Sequence, residues 1–123
     1  FRLNANGSPD MTFGSGGLAL LDSGQTDVAH AVAIQQDGKI LIGGHTTNGT
    51  DFHASVWRLT TSGVRDSRFD HDGQLTLGVG SFQLAFALAL QPDGKILVGG
   101  RATAPGAPDD AMVVRLKGNK IAP

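Results

Sequence analysis

Three arginines recur along the chain, Arg2, Arg58 and Arg115, and two aspartates recur with them, Asp10 and Asp66. A guanidinium presents a fork of donors that suits carboxylates and phosphates in two-bonded pairs. Two chemistries follow. Arginines repeated around a ring would bind anions. Alternatively, each arginine closes on an aspartate and ties a long turn to its own strand. A residue required in every unit of a repeat protein is ordinarily architectural, so the second is the expectation.

Other groups with chemical potential are weaker. "DHDG", Asp70 to Gly73, looks like half of a calcium loop, since acids at alternate positions before a glycine bring oxygens together. No Glu closes it at the right distance, and tight turns favour the same residues, so a plain turn is expected. Of the four histidines, His30, His45, His53 and His71, none forms a helical i, i+4 pair. His45 leaves one strand and His53 enters the next across "TTNGTD", so these two are expected to approach as an exposed hairpin pair rather than as a metal site. Asn6 in "NGS" and Asn48 in "NGT" match the glycosylation sequon, and they equally match the Asn-Gly tight turn, which is preferred. No G-x-S-x-G, no H-E-x-x-H and no phosphate-cradling glycine loop is present. The chain is therefore read as no enzyme, with no cofactor and no metal.

Composition narrows the class. With 40% hydrophobic and 17% charged residues, a packed core is expected. A net charge of −1 leaves no electrostatic footprint for nucleic acid. Cysteine is absent, which removes disulfides, thiolate metal sites and thiol nucleophiles. No apolar run approaches the roughly 20 residues needed for a helical membrane span. No signal peptide is read, and the start at Phe1 is taken to imply a segment upstream.

The elements that position these residues come from a repeat. "QQDGKILIGG" from Gln35 returns as "QPDGKILVGG" from Gln91, an offset of 56. At that offset Arg2-Leu3 falls on Arg58-Leu59, Gly7 on Gly63, Asp10 on Asp66, Phe13 on Phe69 and Gly17 on Gly73. Inserting one residue carries Arg58-Leu59 on to Arg115-Leu116. "VAHAVAIQ" and "LAFALALQ" alternate small and large apolar residues, the pattern of a strand buried on both faces. Asp37-Gly38 and Asp93-Gly94 then make tight hairpins, with both glycines expected at positive φ. "KILIGG" and "KILVGG" give second strands, "ASVWRL" and "AMVVRL" third strands, "LALL" and "QLTLGV" fourth strands. The paired glycines, Gly43-Gly44 and Gly99-Gly100, are expected to permit bulges or close packing. No window carries sustained helical periodicity.

Such a period with four strands per unit points to an all-β propeller. The reading is a fourth strand at about 17–22, a complete blade at about 28–79, three strands of another at about 84–116, and a tail at 117–123. Arg58-Leu59, Gly63, "RDSRF", Asp72-Gly73 and "QPDGKILVGG" resemble the bacterial delta-60 repeat. That resemblance covers nearly the whole chain, twice, and departs where Gly14-Ser15-Gly16 stands for Asp70-His71-Asp72. It implies a β-propeller repeat scaffold in a surface or secreted bacterial protein, and it brings no catalytic residues.

Positions that match between repeats build the fold, and positions that differ are free for other work. These are His30 against Phe86, His45 against Arg101, Trp57 against Val114, and "TTNGTDFH" against "TAPGAPDD". Candidate ligand positions are therefore His45, His53, Trp57 and Arg101, although Trp57 also suits core packing. The leading function is a non-catalytic scaffold or interaction module. The alternatives are a glycan-binding, lectin-like propeller and a fragment of a larger propeller enzyme. Two blades cannot encircle an axis, because propellers need about four to eight. The expected partner is therefore the chain itself, head-to-tail and as a trimer, or neighbouring repeats of a longer chain. In either case Leu18–Leu21 is expected to pair beside Ala111–Leu116 of the neighbour.

Overall fold

The computed structural model describes residues 1–78 and 82–117. Seven strands appear: β1 (Thr26–Ile34), β2 (Ile40–Thr47), β3 (Phe52–Leu59), β4 (Gln74–Thr76), β5 (Phe82–Leu90), β6 (Ile96–Thr103) and β7 (Asp109–Leu116). The first repeat is an antiparallel meander, β1-β2-β3-β4, and the second is β5-β6-β7. A single parallel pairing, Phe52 with Phe82, joins the two. The sheet does not close on itself among the described residues. None of the described segments is a helix long and apolar enough to cross a membrane.

Local chemistry explains the hairpins. Gln35 and Gln91 each accept from the glycine three residues on, at 2.9 Å. Gly38 and Gly94 then take φ of +87°, a conformation costly for any residue with a Cβ. The Asp37 and Asp93 carboxylates fix the turns by accepting from the Lys39 and Lys95 N–H groups. Both first strands carry a bulge at the same place, between Ala29 and Ala31 and between Ala85 and Ala87. The double glycines serve that bulge. A Cβ on Gly44 would stand 1.8 Å from the Val28 carbonyl oxygen, and one on Gly100 would stand 1.8 Å from that of Leu84.

Two cores result. The larger lies between the repeats and joins Leu41, Ala54, Val56 and Phe69 to Ala85, Ile96 and Val98. The smaller lies on the other face of the first repeat, where Phe13 meets Ile42, Trp57 and Leu59. Here the structure differs from the reading of the first strands as buried on both sides. Val32 and Ile34 of β1 are exposed because no described sheet covers that face, and Phe86, turned aside by the β5 bulge, stays exposed beside His30. Among the described residues Leu18–Leu21 forms no strand, and its pairing is a bridge from Ser15 to Leu18 inside its own turn. β4 is shorter than "QLTLGV", although the Leu77 N–H still reaches the Ala54 carbonyl at 2.8 Å. Val79 and the tail from residue 118 lie outside the described residues.

Candidate functional site

The repeated arginines do close on the repeated aspartates. Arg2 Nε donates to Asp10 Oδ2 at 2.8 Å, and Arg58 Nε donates to Asp66 Oδ2 at 2.9 Å. Each guanidinium also lies over the phenylalanine three residues past its aspartate, Phe13 at 4.5 Å and Phe69 at 5.0 Å. Lys39 adds a second cation to Asp66 at 3.4 Å, which links the hairpin to the turn. Burial pushes the Asp66 carboxyl up, but the Arg68 N–H and the charges of Arg58 and Lys39 outweigh it and hold it below the usual value. Asp10 is lowered first by the Thr12 hydroxyl and N–H, with Arg2 adding to them. Arg115 is exposed, and the positions that follow it fall outside the described residues.

The "DHDG" loop is a turn in which Asp70 and His71 take φ of 45° and 70°. Asp tolerates that region better than most side chains. The first repeat has Gly14 where Asp70 stands, because a Cβ on Gly14 would meet the Leu18 carbonyl oxygen at 2.2 Å. Among the described residues no three of His, Cys, Asp and Glu converge as a metal would require. Both sequon asparagines make turns: Asn6 Oδ1 accepts from the Ser8 N–H, and Asn48 Oδ1 from the Thr50 and Asp51 N–H groups.

Of the positions that differ between repeats, His30, Phe86, His45 and Arg101 fall along one row. His45 and His53 do not meet. His45 pairs with Ala54 and the next rung pairs Thr46 with His53, so the two imidazoles project from opposite faces. Instead His30, the extra residue of the β1 bulge, brings its Nε2 to 3.2 Å from His45 Nδ1. Phe86, the extra residue of the β5 bulge, packs edge-on against His30 with ring centroids 5.0 Å apart. A bulge re-aims a side chain in this way. The row continues through Phe52 and Phe82 and ends at Arg101, whose guanidinium lies 4.8 Å from the Phe82 ring. Arg101 also pairs with Asp109 at 2.8 Å. Burial pushes His45 below the ordinary histidine value, His30 pushes in the same direction, and Asp27 opposes them. Phe52 falls in the differing stretch "TTNGTDFH" without being singled out, and Phe82 carries no such signal, because each precedes its strand's alternating pattern.

Trp57 stands apart from this row, fully buried in the smaller core. Of its two readings, the geometry gives it the packing role, since no face of its ring is open to a ligand. A polar network found only in the first repeat lies on the same side of the sheet. Asp27 accepts from Ser23 and from the Thr46 hydroxyl, and Thr46 meets Ser55 at 3.1 Å and Gln74 at 3.3 Å. Gln83 and Ala102 replace Asp27 and Thr46 in the second repeat. Desolvation raises Asp27, but the Ser23 and Thr46 donors win and its carboxyl is lowered. These groups are spent on one another, so the network staples the Asp22–Asp27 loop to β2 and β3.

No curated protein and no solved structure matches the chain. Its sequence matches the family described as a domain of unknown function (DUF5122) beta-propeller over residues 1–13, 35–69 and 91–119. The matched segments are the Arg–Asp turns, the hairpins and the third strands whose geometry repeats above. They make up more than half of the sequence, and the chain belongs to the DUF5122 β-propeller family.

Proposed function

We propose that this chain is a non-catalytic propeller scaffold and interaction module, of the delta-60 repeat kind, from a bacterial protein that works at the cell surface or outside the cell. One observation carries this reading: the polar groups that recur in each repeat are bonded to each other. Arg58 is turned onto Asp66 and Phe69 rather than toward a groove, and Arg2 repeats that arrangement. The recurring chemistry thus serves blade construction. Blades offer flat apolar faces to further blades, either of the same chain head-to-tail or of neighbouring repeats.

A fusion tests the reading. Arg115-Leu116 is in register with Arg2-Leu3, so splicing Leu116 of one copy to Asn4 of the next keeps the repeat in phase. Added blades stabilise a scaffold through new interfaces, so the fusion is expected to melt cooperatively and above the single chain. A fusion that melts no higher would count against the scaffold.

The glycan-binding reading has one observation in its favour. Phe86 and His30, both exposed and both set by bulges, meet at the junction of the repeats, and an exposed aromatic suits the apolar face of a sugar. A glycan array separates the two readings: a hit lost on Phe86→Ala with the melting temperature unchanged favours the lectin-like one.

A further inference from the structure

Two faces of the molecule stand open, and the filled junction between the repeats is a template for what covers them. At that junction Leu88 lies over Gly43, where a Cβ would stand 3.1 Å from Leu88 Cγ. One period before Leu88 is Val32, which is 69% exposed. One period after Gly43 is Gly99, where a Cβ would meet only Ala87, at 3.9 Å. The chain carries a knob without a hole and a hole without a knob.

The surrounding surface repeats the pattern. Leu41, Ala54 and Val56 are all 0% exposed at the filled junction. The same register in the second repeat holds Leu97, Ala111 and Val113, identical in type, yet Val113 is 74% exposed. On the receiving side, Phe13, Ala19 and Leu21 pack on Ile42, Trp57 and Leu59. Phe69, Leu75 and Leu77, one period on, take part in the filled core with Ile96 and Val98. The receiving face therefore already holds the turn and fourth-strand segment of a preceding blade. What it lacks is the first three strands, which is what β5, β6 and β7 present.

Phe1–Leu3 occupies part of that place. Arg2 N donates to the Gly17 carbonyl at 2.8 Å and Asp10 N to the Arg2 carbonyl at 2.9 Å, the bonds that Arg58 makes with Gly73 at 3.0 Å and Asp66 at 2.9 Å. Val114–Leu116 is the same piece of third strand, and two such pieces cannot share one seat. We propose that a second copy of this chain docks the open face of β5–β7 on the open face of β1–β3, that its Val114–Leu116 displaces Phe1–Leu3, and that its Arg115 takes over Asp10 from Arg2. This rests on the scaffold reading and adds the occupant, its register and the competition for the seat.

The chain has no cysteine, so a designed pair reports the contact without background. Val32 and Gly99 belong to opposite open faces, and the variant V32C/G99C cannot bridge within one molecule. Mild oxidation is expected to link it into a series of oligomers on non-reducing gels, which neither single variant gives. A double variant that stays monomeric overturns the docking. Sedimentation of two further variants tests the seat. Arg2→Ala weakens the resident segment and is expected to tighten association about two- to fivefold, the range for loss of an exposed ion pair. Arg115→Ala removes the incoming guanidinium, leaves the Arg2–Asp10 pair in place, and is expected to weaken association. Movement of both in the same direction overturns the exchange. If the single chain neither links nor associates while the spliced fusion gains stability, the occupant is a further repeat of one polypeptide: the second-copy proposal fails and the scaffold reading stands. A fusion without gain removes the scaffold reading itself.

Discussion

Arg2 and Arg58 make the same bond in the same turn, yet Arg2 keeps 38% of its side chain exposed and Arg58 keeps none. The backbone does not account for the difference, because Gly7 and Gly63, and Gly17 and Gly73, take φ within a few degrees of each other. What differs is the neighbouring sheet. The turn after Leu59 packs its Phe69 against the second repeat, whereas the turn after Leu3 packs its Phe13 against the first repeat and has no described sheet on its other side. The Thr61 carbonyl of the following turn accepts from Arg2 Nη1 at 2.7 Å. Nη1 and Nη2 of Arg58 have no partner among the described residues, and the position one period past Thr61 lies outside them. One sequence motif is thus a surface ion pair in one setting and a buried one in the other. Burial, and not the motif, sets its energetic weight.

The double glycines offer the hardest test of that comparison. Gly44→Ala forces a methyl into the Val28 backbone, which the bulge cannot yield, and is expected to abolish the cooperative transition in thermal circular dichroism. Gly99→Ala, at the uncovered equivalent of Gly43, is expected to leave the transition in place. A wild-type melt for Gly44→Ala would mean that the bulge has another basis. Next in size, Arg58→Ala leaves Asp66 buried with Lys39 alone and is expected to cost about 3–5 kcal/mol in urea unfolding. Arg2→Ala is expected to cost a small fraction of that, and equal losses would break the comparison. Val56→Ala should cost about 1–3 kcal/mol by emptying part of the filled core, with Val113→Ala near zero in the isolated chain.

The smallest effect is the dependence on pH. His45 is held below its ordinary value of 6.5, so the unfolded chain binds a proton more readily than the folded one. By linkage, stability is full above that value and declines as pH falls below it. His45→Phe is expected to flatten melting temperature across the window just below pH 6.5, leaving the later loss as Asp10, Asp27, Asp66 and Asp93 protonate below their ordinary 3.8. An unchanged profile would place the titration elsewhere.

Much of this architecture was legible in the chain. Gly38 and Gly94 follow an aspartate in a hairpin, and that local setting alone calls for their positive φ. The recurrence of Arg58 with Asp66 points to a structural pair, and the double glycines to bulges or close packing. The site was less legible. The hairpin between them suggests that His45 meets His53, but alternation across one rung sends them to opposite faces. Its actual partner is His30, delivered by a bulge that breaks the period-two pattern used to assign faces. Phe52 is marked only as part of "TTNGTDFH" and Phe82 not at all, since their meeting depends on the parallel pairing between the repeats.

The sequence by itself determined the repeat, the strand order, the hairpins and the residues that brace each turn. Those properties rest on contacts a few residues apart, where glycine conformation, side-chain alternation and short-range hydrogen bonds decide the outcome. Only the tertiary structure decided which copy of each residue is buried. Val56 and Val113, Leu88 and Val32, Arg58 and Arg2 stand in equivalent positions. Burial is a property of what lies across the junction, and an apolar face of about the same composition is core when a sheet covers it and surface when none does.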